Sequence, residues 1–227
     1  MTSSPKFVHL NVHTEYSLSE GIARIKELAT EAHSAGMPAV AMTDINNLYA
    51  AVKFYRSCLN AGVKPLFGVE LTLGAVTPVD PGGKIILLCM NNRGFKGVSE
   101  LLTQLYTQPR EGRELVAGLN QIESVADDVI ALTGFDGAIG GLIRSGHVSE
   151  SMQAAEKLVQ VFEDRIFFEL TRTGRPGETV FEDEALVISR KLNIPLVATN
   201  AVRFLKTDDF EAHEIRTCIH QGRILDD

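Results

Sequence analysis

The segment His9-Leu-Asn-Val-His13 sets nitrogen-bearing side chains at alternate positions of an apolar run, and alternate side chains of a strand share one face. A strand-borne metal site needs that spacing, because its ligands must converge on one ion at about 2.0–2.2 Å. Position 11, between the two histidines, is an asparagine. Other polar residues stand where apolar runs end. His13, Asp44, Glu70, Glu169 and Asn200 would form a polar mouth if the strands that carry them are neighbours. A hydrolytic metal centre accounts for that set, and so do loop-edge groups that satisfy strand-end backbone. His9 lies deeper in its apolar run and reads as an interior histidine. His33 and His147 carry no ligand spacing, and His213 and His220 read as capping or packing groups on a last helix.

Weaker signals lie elsewhere. Arg172 and Arg175 accompany the loop Gly174-Arg175-Pro176-Gly177, which could hold a phosphate, although a Pro/Gly turn explains the same residues without a ligand. Cys58, Cys89 and Cys218 sit in apolar periodic stretches with no CxxC spacing. Neither a disulfide framework nor a structural zinc is expected, and all three read as buried thiols. There is no dinucleotide fingerprint, Walker-type loop or nucleophile elbow. The 22 Lys and Arg against 29 Asp and Glu give a net charge of −7, which argues against a domain that grips nucleic acid by itself. No apolar run approaches the roughly 20 residues that span a bilayer. With no signal pattern at the N-terminus, a cytoplasmic protein without membrane contact is expected.

To position these residues, the chain offers apolar runs at 7–12, 39–42, 65–73, 85–90, 128–132, 165–170 and 194–198, read as seven strands. Helical periodicity runs from Ile22 to a stop at Gly36, from Leu48 to Leu59 before Gly62, and over 95–106, 138–144, 152–162 behind a Ser149 cap, 181–192 and 210–218. Residues 107–116 read as a connection. The sixth run is nearly all apolar, as in a strand buried on both faces. Alternation of strand and helix implies a parallel sheet. It could close into a barrel with its site at the strand ends, or stay open and doubly wound; the pattern does not separate the two. A single domain over 1–227 accommodates the 44% hydrophobic content. The ending at Leu225-Asp226-Asp227, with no polar tail, suggests a fragment of a longer polypeptide.

Seven stretches, in order along the chain, carry a resemblance. They are Phe7-Val-His-Leu-Asn-Val-His-Thr-Glu-Tyr-Ser-Leu18, Gly36-Met-Pro-Ala39, Met42-Thr-Asp-Ile-Asn-Asn-Leu-Tyr49, Val63-Lys-Pro-Leu-Phe-Gly-Val-Glu70, Phe168-Glu-Leu-Thr-Arg-Thr-Gly-Arg-Pro-Gly177, Val197-Ala-Thr-Asn200 and Asp209-Phe-Glu-Ala-His-Glu-Ile-Arg216. Together they resemble the PHP (polymerase and histidinol phosphatase) domain that opens bacterial replicative DNA polymerase III alpha subunits, of the proteobacterial type. The resemblance implies a distorted (β/α)7 TIM-like barrel of parallel strands. In metal-binding members, nine side chains at the barrel mouth hold up to three ions. Carried over position by position, His13, Glu20 and Glu70 remain as ligand types. Asn11, Ile45, Lys84, Phe135, Ala201 and Arg203 occupy the other six positions.

One imidazole and two carboxylates fall short of a multi-metal phosphoesterase, whose ions sit about 3.5–4 Å apart. The expectation is a degenerate site with no catalytic residue, bound metal or cofactor in this segment; the parent polymerase would use Mg2+. Carboxylates left without divalent ions need another cation, so Lys84 and Arg203 are expected to pair with Glu70 and Glu20. The resemblance further implies a structural and docking role for the separate proofreading exonuclease (epsilon) subunit. The remainder of the alpha chain would be a second partner, DNA would be met only through the full polymerase, and the segment itself would be monomeric. A residual 3′–5′ exonuclease or pyrophosphatase activity is the enzymatic alternative.

Overall fold

A computed structural model describes residues 7–109 and 114–225. The chain divides into two compact units, Met1–Val69 with Asn200–Asp227, and Glu70–Thr199.

The first unit is organised on residues 9–14. A strand is predicted over 7–12, but residues 9–14 make only two isolated bridges, Val12 to Val202 and Thr14 to Ala23. Backbone bonds nevertheless hold the segment on both sides. The Ala41 and Thr43 N–H groups donate to the His9 and Val12 carbonyls at 2.8 and 2.9 Å, and Val202 exchanges bonds with Asn11 and His13 at 2.9 and 2.8 Å. A regular ladder is missing because the neighbour on one side is the single residue Val202, next to Ala201 at φ 40°.

Helix α1 (Ile25–Ser34) buries Ile25, Leu28, Ala29 and Ala32, a one-faced stripe at helical spacing. Strand β1 (Ala39–Met42) is buried throughout. Helix α2 (Ala51–Ala61) ends on Gly62 in the left-handed region, as the sequence predicts. It starts three residues later than its periodicity because the Asn47 side chain donates to the Ile45 carbonyl and accepts from the Tyr49 N–H, holding a turn there. Strand β2 (Lys64–Leu73) then pairs parallel to β1 through Lys64 to Phe67.

The second unit begins within β2 and continues through β3 (Gly83–Cys89), α3 (Asn92–Thr107), the two-residue β4 (Val116–Ala117) and α4 (Leu119–Glu123). The Asn91 side chain caps α3, accepting from the Arg93 and Gly94 N–H groups. Next come β5 (Val129–Thr133), α5 (Ala138–Arg144), α6 (Val148–Phe162), β6 (Ile166–Leu170), α7 (Glu178–Leu192) and β7 (Leu196–Ala198). Pairs β2–β4, β5–β6 and β6–β7 are parallel. Pair β3–β5 is antiparallel, from Ile86 opposite Leu132 to Cys89 opposite Val129. The sequence pattern predicts one crossover helix, over 95–106, between these strands. The connection in fact carries the extra strand β4, paired to β2, and β5 returns in the opposite sense.

Several local expectations are corrected. Helix α6 starts at Val148 with His147 as its N-cap, so Ser149 is inside the helix. Strand β6 alternates, with Ile166 and Phe168 buried and Phe167, Glu169 and Leu170 half-buried, so it is not covered evenly on both faces. Of the cysteines only Cys58 is buried, while Cys89 and Cys218 are half-buried. Desolvation pushes the Cys58 thiol up to about 11 and the Cys89 thiol to about 12. His9 is half-buried against the edge of Phe7, and burial lowers its pKa. The chain returns to the first unit with α8 (Phe210–Gln221), which buries no residue. The fragment reading drawn from Asp226-Asp227 falls on residues outside those described.

Gly140 lies inside α5, where Ala would ordinarily stabilise by about 1 kcal/mol. A β-carbon there would collide with the Gly134 and Phe135 carbonyl oxygens. Gly140→Ala is therefore expected to destabilise the protein by about 2–3 kcal/mol, read from urea unfolding midpoints; a stabilised variant would contradict this packing.

Candidate functional site

Asp44, read from sequence as part of a polar mouth, is fully buried and has a structural task. One carboxylate oxygen accepts from the Thr14 N–H at 2.6 Å and the Ser17 hydroxyl at 2.6 Å; the other accepts from the Thr14 hydroxyl at 2.7 Å. Ser17 in turn accepts from the Ile45 N–H at 3.1 Å, and the Thr43 hydroxyl bonds both backbone groups of Val12. Thus Thr43-Asp44-Ile45 clamps the end of the His9–Thr14 segment to β1. An ionised carboxylate with three close donors is well compensated away from water. Ile45 contributes its backbone to the clamp and has no side chain able to ligate.

The ligand positions implied by the resemblance divide between the units. In the first unit, Asn11 and His13 are buried on the clamped segment. Glu20 follows the turn, and its carboxylate lies 3.4 Å from the Arg203 Nε. The Ile22 N–H donates to the Arg203 carbonyl at 2.8 Å, which fixes that arginine's backbone beside the turn. Ala201, half-buried, has only a methyl side chain. His213, expected to pack or cap, rests its ring 5.4 Å from that of Phe204, and desolvation lowers its pKa.

In the second unit Glu70 has a nearly buried side chain, 5% exposed, and Lys84 Nζ lies 3.0 Å from it. The expected pairing of both cations with the remaining carboxylates is therefore present. The Lys84 N–H also donates to the Asp136 carbonyl at 2.8 Å, joining the start of β3 to the loop that carries Phe135. Two guanidinium groups, Arg144 and Arg175, lie over that ring, each 4.3 Å from its centroid, with Phe181 edge-on at 5.9 Å. Cations over an aromatic face are attracted by its quadrupole; they would repel a divalent ion placed there. Glu169, another residue of the predicted mouth, accepts from the Thr199 hydroxyl at 2.5 Å. Asn200 is exposed.

The phosphate reading of the arginine loop is not supported, because carboxylates already occupy both arginines. Arg172 is bound by Glu182 through contacts of 3.0 and 3.1 Å, and Arg175 by Asp136 at 2.9 Å and Glu178 at 3.3 Å. Glu178 organises the loop. It accepts from the Thr173 hydroxyl and N–H and from the Gly174 N–H. Led by the Thr173 hydroxyl, and against partial desolvation, these bonds hold its pKa at about 2. Sequence reasoning missed Glu178, Arg144 and the Asp44 clamp. Glu178 had a detectable signal, as an acidic residue in the first turn of a helix behind a Gly-rich loop; Arg144 had none.

Among the described residues, no group of three or more His, Cys, Asp and Glu side chains is placed to hold a metal ion. The side chains present do not fit a multi-ion cluster, since two ligand positions carry cations already bound to carboxylates and a third carries a ring packed by arginines. No helix among the described residues is long and apolar enough to cross a membrane.

The chain belongs to the PHP domain family, whose model matches residues 9–173. Within it, the chain is similar over nearly its whole length to DNA polymerase III alpha subunits of proteobacteria. It is 37% identical to that of Pseudomonas aeruginosa over 97% of this chain and 35% identical to that of Escherichia coli K12 over 99%. It spans 19% and 20% of those subunits, about a fifth of their length. A protein of Bifidobacterium adolescentis described as a metal-dependent phosphoesterase shares the fold, with a TM-score of 0.62 and 11% identity, over 97% of this chain and 99% of that one. The fold class is thus the TIM-like α/β class expected, with mostly parallel strands.

Two outcomes test the electrostatics. Lys84→Met removes the cation 3.0 Å from the nearly buried Glu70; because Lys84 is 38% exposed, the cost is discounted from the value for a fully buried pair to about 2 kcal/mol. The double variant with Glu70→Gln should recover most of it, as a double-mutant cycle in urea would show. For Glu178 the folded pKa is depressed from 4.5 to about 2, so its stabilising effect is complete above the unfolded value and fades as pH falls through that window. The gap in unfolding midpoint between the parent protein and Glu178→Gln should be widest near pH 6 and close between pH 4.5 and 2. A constant gap would contradict this assignment.

Proposed function

We propose that this chain is the PHP portion of a replicative DNA polymerase III alpha subunit, acting in chromosomal replication as a structural and docking module with no phosphoesterase activity of its own. The pairing of Lys84 with Glu70 at 3.0 Å carries this reading, since it places a fixed cation on a carboxylate that metal-binding relatives would use as a ligand. The Glu20–Arg203 pair supports it at a second ligand position. DNA synthesis, its Mg2+ requirement and contact with DNA belong, in this reading, to the remainder of the alpha polypeptide. The docking partner is a separate proofreading exonuclease subunit, because a polymerase whose own PHP site cannot hydrolyse phosphodiesters needs editing supplied by another chain. The compartment is the cytoplasm, where the chromosome is copied.

The purified chain should contain no stoichiometric zinc or manganese by elemental analysis and should show no turnover of a phosphodiester substrate. It should retain the epsilon subunit in a pull-down. Stoichiometric metal with turnover abolished by His13→Ala would establish the phosphoesterase alternative instead, and failure to retain epsilon would remove the docking role.

A further inference from the structure

Helix α2 carries two apolar stripes. Ala51, Phe54 and Cys58 are buried. The residue after each, Val52, Tyr55 and Leu59, repeats the same i, i+3, i+7 spacing, so each set shares one face of the helix. The second stripe is uncovered, with Val52 66%, Tyr55 47% and Leu59 54% exposed; Tyr49, just before the helix, is 63% exposed. A surface helix ordinarily turns polar and charged residues toward the side its fold does not cover. Packing within the unit accounts for the first stripe and leaves the second unused. Tyr55 is nonetheless set in place, its ring 6.5 Å from that of Phe67 on β2.

The charges beside the stripe narrow its occupant. Helix α2 contains two cations, Lys53 and Arg56, and no carboxylate, on a chain whose net charge is −7. Lys53 is paired with Glu15 at 2.7 Å. Arg56 lies one turn from Val52 and from Leu59 on the same face, is exposed, and makes no ion pair among the described residues. We infer that this face of α2 docks an acidic segment of a separate protein, which sets apolar side chains on Val52, Tyr55 and Leu59 and a carboxylate on Arg56. Tyrosine and arginine are the side chains enriched where a few residues carry most of a binding energy. A second copy of this chain is disfavoured, because a two-fold interface on the stripe would bring Arg56 toward its own symmetry mate. A permanent cover is disfavoured as well. Obligate interfaces are the more apolar ones, whereas this stripe mixes two tyrosines and an arginine with two aliphatic side chains, a composition that tolerates water between encounters. The inference rests on the docking reading for there being a protein partner, and adds to it a surface and a class of partner segment.

The test places the photo-crosslinking residue benzoylphenylalanine at position 55, and separately at 59, of the full-length native protein in its own cells. Position 30, on the exposed side of α1, is the control. Crosslinked peptides are sequenced by mass spectrometry, and the captured segment is made as a synthetic peptide and titrated against the full-length protein. The expected result is capture at 55 and 59, but not at 30, of a segment of another protein with more carboxylates than cations. Arg56→Glu should weaken the peptide by at least about tenfold, and exchanging one peptide carboxylate for lysine should restore binding, which a misfolded variant would not allow. No capture, capture of the same polypeptide or of a second copy, a segment without excess carboxylates, or binding unchanged by Arg56→Glu would each overturn the proposal. If the exonuclease subunit is still retained in the pull-down when one of these holds, the docking reading stands without this surface. If an acidic segment of another protein is captured as expected while the exonuclease subunit is not retained, the proposal stands and that subunit's docking falls.

Discussion

A carboxylate taken out of water requires donors, a cation or a proton, and the polar interior of this protein is arranged around that requirement. Asp44 meets it with three close donors from Thr14 and Ser17. Glu70 meets it with Lys84 and Glu20 with Arg203, and Glu178 does so with a loop of N–H and hydroxyl groups. In a metal-binding PHP domain, divalent ions would supply part of this compensation. Here the polypeptide supplies it. The substitution has a chemical consequence, because an ammonium or guanidinium group neutralises charge but cannot polarise a phosphate oxygen while lowering the pKa of a bound water as a metal does.

The same requirement shapes the scaffold. The His9–Thr14 segment forms no strand of its own, yet it is the base of the first unit because the Asp44 clamp and the Thr43 hydroxyl fix its end to β1. Gly21 belongs to this arrangement. A β-carbon at that position would collide with the Thr14 carbonyl oxygen, so the turn from Thr14 to Gly21 closes only because residue 21 has no side chain. Local backbone chemistry and buried charge therefore act on the same ten or so residues, and the conformation of one depends on the other.

Much of this was legible in the sequence. Helix stops at Gly36 and Gly62, strand β1 and helix α5 follow from periodicity and turn residues alone. The ion pairs were also foreseeable, since carboxylates and cations at neighbouring ligand positions have to balance. The absent first strand and the antiparallel β3–β5 pair were not, because each is decided by a distant partner: Val202 in one case and the extra strand β4 in the other. The packing of Arg144 on Phe135 was illegible for a similar reason. It joins the last turn of α5 to the loop preceding that helix, and nothing in the local sequence distinguishes this arginine from a solvated one.

The Glu70–Lys84 pair also bears on how reversible such a site is over evolutionary time. If Lys84 alone reverted to an imidazole, Glu70 would lose its cation before the remaining ligands needed to retain an ion had returned. If Glu70 alone changed, the last acidic ligand on β2 would be lost. Reversal at either member of this pair alone thus crosses a less stable intermediate. Buried charge balance can thus work as a ratchet: where a side-chain cation balances a buried carboxylate, selection for stability favours keeping the pair together.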